Sequence, residues 1–275
     1  MTAVNYPEDS IFRSEFREGM RVDWDVPIPM DDGVVLRANV YRPDDEGKYP
    51  VIMSHGPYGK DLHFEEIYKT CWDLMCENHP DVPAGSTNIH QSWEVADPEK
   101  WVPHGYVIIR VDSRGAGRSP GYLEHFGPRE NQDFFDCIEW AGSQPWSNGK
   151  VGLSGISYYA VNQWSVAAMG PKHLAAICPW EGFNDFYREL SYHGGIYSSF
   201  QRHWYDKQIM PIQHGYGDRG FNSRANGELA AGPETLSDEE LEKNRFDLHG
   251  EFSSHPFDDE YYAARTPDLS KITVP

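Results

Sequence analysis

The stretch from Val151 to Met169 constrains this chain more than any other. Val151-Gly152-Leu153-Ser154 reads as a short buried strand, Gly155-Ile156-Ser157 follows at once, and Tyr158 to Met169 has helical spacing, with Val161, Trp164, Ser165 and Ala168 on one side. A strand that turns into a helix within three residues needs small side chains at the junction. It belongs to folds in which strands alternate with helices around a parallel sheet. The first 180 residues repeat that alternation. Met20–Pro29 and Gly33–Pro43 read as two strands joined by an Asp31-Asp32-Gly33 hairpin turn. Pro50–Ser54 is a short apolar strand running into a His55-Gly56-Pro57-Tyr58-Gly59 loop. Residues 61–100 are mixed, rich in Trp and His, and read as helix and irregular structure. Gly105–Val111 has the length and β-branching of a buried strand and stops at the glycine-rich Asp112–Ser119. Glu130–Ala141 reads as a helix with Phe134, Ile138 and Ala141 on one face and Phe135 beside them. His173–Cys178 is the next strand, and Cys178, ending an apolar run, is expected in the core. The fold predicted is α/β, with a mostly parallel sheet.

Beyond Trp180 the pattern changes. Residues 183–265 are polar and aromatic without short buried strands, and Leu236–Asn244 reads as an exposed acidic helix with Ser237 as N-cap and Glu240 three residues on. The expected organisation is a core over 1–180, a helical cap over 181–266, and, in 267–275, the start of a returning core strand at Ile272-Thr273-Val274-Pro275.

Charge and composition narrow the partners. A chain of 275 residues can bury a sizeable core. A net charge of −19, from 43 acidic against 24 basic residues, argues against nucleic acid or an anionic membrane, both of which need a basic face. The four cysteines form no Cys-x-x-Cys pair, so neither a zinc site nor any other metal or cofactor is expected. Met1–Ser10 has no basic or apolar region of a signal peptide, and no apolar run approaches the roughly 20 residues of a membrane span. The expectation is a soluble, cytoplasmic protein.

At the Gly155-Ile156-Ser157 turn, a serine hydroxyl can be exposed while the helix start aims backbone N–H groups at a developing negative charge. Serine is also a favoured helix N-cap, and spacing alone leaves the nucleophile and the cap equally open. Ser154 is a weaker candidate, since it falls at the strand end rather than in the turn.

Val151–Trp164 resembles the nucleophile region of the cocaine esterase and X-Pro dipeptidyl-peptidase family (peptidase family S15, the CocE/NonD hydrolases). That family carries Gly-x-Ser-Tyr-x-Gly. This chain matches at Gly155, Ser157 and Tyr158 and departs at Ala160. Asp112–Gly121 is similar to the family's Asp-x-Arg-Gly-x-Gly-x-Ser-x-Gly loop. Glu130, Asp133, Asp136, Glu139-Trp140 and Trp146–Gly149 match the approach to the elbow, and Trp180-Glu181-Gly182 through Arg188, then Gly194–Ile196, resembles the start of a family cap. The resemblance implies an α/β-hydrolase core, with Ser157 attacking the acyl carbon of an ester or amide. It gives one oxyanion donor to the Tyr158 N–H and the other to a tyrosine hydroxyl, here Tyr58. Family members that hold a substrate ammonium do so with carboxylates near the cap, which points to Glu181 and Asp185 beside Trp180. The same carboxylates can instead cap a helix or pair with an arginine. Esterase is the expected activity, and an aminoacyl-directed peptidase or α-amino acid ester hydrolase the alternative.

The family's acid and histidine follow a strand that begins Ile-Thr-x-Pro, which is where these residues stop, and a C-terminal jelly roll comes later still. A C-terminal segment or partner chain is therefore expected to complete the triad. His193, His203, His214, His249 and His255, with Asp185 and Asp206, follow Ser157 but fall in the expected cap, where they read as surface or pocket-wall residues. The non-enzymatic alternative is a catalytically incomplete fragment acting as a binding subunit.

Overall fold

The computed structural model describes residues 13–275; the Met1–Ser10 segment lies outside them. Seven strands form one sheet: β1 (Arg13–Arg17), β2 (Met20–Pro29), β3 (Val35–Arg42), β4 (Tyr49–Gly56), β5 (Val107–Asp112), β6 (Ser147–Ile156) and β7 (Leu174–Trp180). Their order across the sheet is β1-β2-β3-β5-β4-β6-β7. The pairs from β1 through β3 to β5 are antiparallel, and β5-β4-β6-β7 is parallel. The hairpin turn at Asp31–Gly33 accounts for the antiparallel β2-β3 pair. There the Met30 and Gly33 amides bond to Val34 and Met30 carbonyls, and Gly33 takes φ +87°.

Three short helices, α1 (Phe64–Ile67), α2 (Lys69–Asn78) and α3 (Pro98–Trp101), lie between β4 and β5. Helix α4 (Pro128–Ser143) buries Phe134, Cys137, Ile138 and Ala141 against Val26, Leu36, Met53, Ile109 and Leu153 of the sheet. Helix α5 (Tyr158–Met169) follows β6 directly. The one-sided face expected for α5 is too narrow a reading. Trp164 and Ala168 are half-buried, whereas Tyr158–Gln163 and Ser165–Ala167 are buried. The helix has neighbours on both sides, Val166 and Ala167 joining the sheet core while Tyr158, Tyr159 and Val161 join an aromatic cluster built with the segment beyond β7.

Cys178 corrects a second expectation. It is exposed, because β7 is the outermost strand of the sheet and only its first residue, Leu174, is buried. The Ile177 N–H donates to Pro275 O (2.9 Å), so the chain's last residue lies against that open edge.

The segment beyond β7 holds π-helical turns at Phe186–Ser191 and Tyr205–Ile209 and four short helices: α6 (Phe200–Trp204), α7 (Asp238–Lys243), α8 (Leu248–Ser254) and α9 (Glu260–Ala263). It also contains a ribbon that the sequence did not signal, β8 (Tyr192–His193) and β9 (Ile196–Tyr197), turning at Gly194-Gly195. Two residues per strand are too few to show an alternation. The expected acidic helix is α7. Ser237 Oγ accepts from the Glu240 amide while the Glu240 carboxylate accepts from the Ser237 amide. Phe186, Leu190, Trp204, Tyr205, Phe246, Phe252 and Tyr262 of this segment pack on Tyr58, Leu123, Phe126 and Tyr158. Those partners sit in loops after β4 and β5 and at the start of α5, so the segment roofs the C-terminal ends of the parallel strands. Ligands of α/β sheets bind there.

Candidate active site

Ser157 is the residue between β6 and α5, with φ +57° and ψ −115°. A non-glycine residue in left-handed space is uncommon and is held only by its surroundings. Here the surroundings are explicit. The Ser157 amide donates to Trp180 O (3.0 Å), the Ile156 amide donates to Glu94 O (3.1 Å), and the Ser157 carbonyl accepts from Ala160 and Val161 (2.9 Å each). Glu94 and Glu181, the residues beside those clamps, are themselves left-handed, at φ +63° and +54°. The Ser157 hydroxyl makes no capping bond to α5. Ser157 therefore stands at the N-cap position of α5 without its side chain capping the helix, and among the described residues its oxygen has no hydrogen-bond partner. Ser154 instead sits within the ladder, opposite Cys178.

The tight turn depends on missing side chains. A Cβ on Gly155 would stand 2.2 Å from Tyr159 Cβ, and one on Gly56 would stand 2.6 Å from the Tyr159 ring. The departure at Ala160 is accommodated by Gly182, where a Cβ would come within 3.0 Å of the Ala160 methyl. As the first residue of α5, Tyr158 has no helical acceptor for its N–H. Its side chain turns away from Ser157: the hydroxyl lies 2.7 Å from both Glu130 carboxylate oxygens, and burial pushes Glu130 up to about 8.

Tyr58 is buried and lines a cavity of about 40 Å³ together with Ser157, Phe126, Tyr158, Phe183 and Trp204. Its hydroxyl oxygen accepts from Trp204 Nε1–H at 3.0 Å. Burial, with the nearby Glu94 carboxylate, lifts the phenol well above its usual range, so it stays a neutral O–H donor. Glu94 is pushed up to about 8 by burial and by the charge of Glu181. The tyrosine and the serine thus face one apolar cavity, the tyrosine proton-bearing and the serine unbonded.

The loop carrying Tyr58 is bolted to the sheet by charges. A bulge in β2 at Asp23/Val26 gives Asp25 φ +52° and turns it inward. Lys60 Nζ then donates to Asp25 Oδ1 (2.7 Å) and Asp61 Oδ2 (2.5 Å), with Asp112 Oδ2 at 3.6 Å. Arg118 Nε pairs with Asp25 Oδ2 at 2.8 Å, and the Lys60 and Arg118 amides donate to the two Asp112 oxygens. All these side chains are at most 4% exposed. Burial alone would lower the lysine's pKa, but the carboxylates override it and hold the ammonium charged.

The remaining expected residues do not line this cavity, although the Trp180 carbonyl holds the Ser157 amide. Trp180 is 60% exposed, and its indole donates to Cys178 Sγ (3.2 Å). Glu181 is exposed. Asp185 caps the first π-helical turn through the Arg188 amide (2.8 Å) and pairs with Arg188 Nη1 (2.7 Å). The later histidines are engaged elsewhere or exposed. His193 bonds to Glu189 O, His214 to Gly117 O, His249 to the Tyr197 hydroxyl and His255 to Asp259, while His203 is exposed. Among the described residues, no three His, Cys, Asp or Glu gather as a metal site. Sequence reasoning missed Trp204, Glu94 and Asp25, which reach this region from distant or irregular segments with no local motif to mark them.

Residues 32–275 match the X-Pro dipeptidyl-peptidase (S15 family) pattern. The chain belongs to that family. It is 33% identical over 171 residues to cocaine esterase of Rhodococcus sp. (strain MB1 Bresler), covering 62% of this chain and 25% of the esterase. It is 21% identical over 236 residues to a Xaa-Pro dipeptidyl-peptidase of Streptococcus pneumoniae, covering 71% of this chain and 30% of the peptidase. A CocE/NonD family hydrolase crystal structure from Staphylococcus aureus superposes with a TM-score of 0.72 at 35% identity, over 93% of this chain and 40% of that one. The sheet and helices are therefore those of a CocE/NonD α/β-hydrolase, and this S15-family chain spans a quarter to two fifths of the length of these relatives. Among the described residues no helix is long and apolar enough to cross a membrane.

Proposed function

We propose that the protein is a serine hydrolase that cleaves carboxylic ester bonds through an acyl-enzyme on Ser157. One observation carries the reading: Ser157 is held left-handed at a strand–helix junction, and its hydroxyl makes no capping bond and has no hydrogen-bond partner among the described residues. A serine kept there without capping its helix is strained for a purpose other than stability. In the proposed reaction Ser157 Oγ adds to the acyl carbon, and the carbonyl electron pair moves onto oxygen. The Tyr158 N–H and the Tyr58 O–H receive that oxyanion. The tetrahedral intermediate collapses with loss of the alcohol, and water then releases the acid by the same route. The general base that takes the Ser157 proton and passes it to the leaving alcohol, and its carboxylate partner, are proposed to come from residues outside these 275, since His193, His214, His249 and His255 have other partners, His203 is exposed, and the relatives are far longer. On the same reading, 1–180 and 267–275 contribute core and 181–266 a cap.

Ester cleavage is favoured over recognition of a substrate ammonium because the cavity at Ser157 is walled by Phe126, Phe183 and Trp204, while Asp185 is committed to Arg188. The test is labelling of the full-length gene product with a fluorophosphonate. Labelling that disappears in Ser157→Ala is the expected result. An unlabelled, folded wild-type protein would sink the reading.

A further inference from the structure

We infer that Trp204 is a positioning residue: its indole N–H fixes the direction in which the Tyr58 hydroxyl offers its proton to the oxyanion. The inference rests on the serine hydrolase reading above and adds a residue to it from 146 positions along the chain.

The argument begins with hydrogen-bond inventory. An indole N–H can only donate, and a phenol oxygen has one proton and two lone pairs. Trp204 Nε1 lies 3.0 Å from Tyr58 Oη, so it must occupy a lone pair of that oxygen. A phenol O–H prefers the plane of its ring, in one of two opposite positions. An occupied position on one side sends the proton to the other. Among the described residues no protein group accepts that proton, although Tyr58 is only 4% exposed. A buried donor without an acceptor is unfavourable and rare. Here it faces the cavity it shares with Ser157, where an oxygen bearing developing charge would supply the missing acceptor.

Trp204 is itself fixed. It is 6% exposed, stacked at 6.0 Å and 22° on Tyr158, at 6.4 Å and 20° on Phe126, and edge-on to His125 at 5.4 Å. Tyr58 is held from the other end by the Lys60 cluster, one residue beyond Gly59. Its ring is therefore gripped through its backbone by the core and through its oxygen by the segment beyond β7. An indole donor also favours partial negative charge on the phenol oxygen, working against burial. Trp204 touches no reacting atom in this scheme. It acts through Tyr58, so its effect belongs to the transition state rather than to ground-state binding.

The test uses the full-length gene product, p-nitrophenyl acetate as substrate and phenylboronic acid as a mimic of the tetrahedral adduct. Trp204→Phe keeps an aromatic ring for the stack and removes the N–H. The expected result is a kcat lower by about tenfold or more, KM within about twofold, and boronate affinity falling in step with kcat. In a Tyr58→Phe background the same substitution should lower kcat no further. Trp204→His, which retains a ring N–H, should recover part of the loss, and it also serves if the Phe variant does not fold. Equal losses in both backgrounds, or unchanged kcat and boronate affinity, would overturn the assignment while Ser157 still labels. Absence of wild-type labelling would overturn the hydrolase reading and this assignment together.

Discussion

The two flanks of β6, the strand that leads into Ser157, are built in opposite ways. On the β4 side, Tyr58 is buried, its loop is pinned by Lys60 to Asp25 and Asp61, and Trp204 closes over it. On the β7 side, Trp180 is 60% exposed, Cys178 and Glu181 are exposed, and among the described residues no further strand pairs with the outer edge, which bonds to Pro275 through the Ile177 amide. One flank is finished and the other is open. For an acyl-transfer site the finished flank is the one that receives charge, and an oxyanion donor must be rigid before the substrate arrives. The open flank is where a base would have to enter.

The contrast can be broken at its strongest point first. Lys60→Met leaves Asp61 buried without its cation and Asp25 with Arg118 alone, and removing one partner of a buried ion pair costs about 3–5 kcal/mol. Thermal or urea unfolding should show that loss, and a variant melting with the wild type would mean the finished flank is not held by its charges. A smaller effect sharpens the same flank by pH. Glu130 sits at about 8 when folded, against an ordinary 4.5, because burial favours its neutral form. Between those values the folded state binds more protons than the unfolded one, so this group's contribution is full below pH 4.5 and is lost as pH rises through 8. Glu130→Gln keeps an acceptor for Tyr158 and removes the titration. Its melting temperature relative to wild type should therefore climb from pH 5 to pH 8, and a constant difference would contradict the burial argument. The smallest effect belongs to the open flank. Trp180→Ala should change stability by no more than about 0.5 kcal/mol, as for surface positions without buried partners. A loss of several kcal/mol would show that this flank too is structurally committed.

Much of the fold was legible because its signals are local. The β6–turn–α5 unit reads from Val151 to Met169 without reference to the rest of the chain, and Ser237 with Glu240 announces α7 by a capping box. Ser157 and Tyr58 could be named from such signals and the family resemblance. What escaped was non-local. Nothing in the sequence says that Trp204 meets Tyr58, or that a β-bulge turns Asp25 toward Lys60. Cys178 misled because an apolar run shows strand character but not whether the strand is central or outermost. The face of α5 was drawn too narrowly for a related reason: periodicity marks one buried side, and this helix has neighbours on two.

The Lys60 cluster also sets an order of events during folding. The β6–α5 junction lies within the contiguous Ser147–Met169, with clamps added from Glu94 and Trp180, whereas the ion cluster must bring residues 25, 60, 61, 112 and 118 together from β2, the end of β5 and the loops after β4 and β5. Contacts between distant segments close large loops and form late. In a refolding time course the strand–helix junction at Ser157 should therefore appear before the lysine is sealed in, and on the proposed function reactivity should come only with the second event.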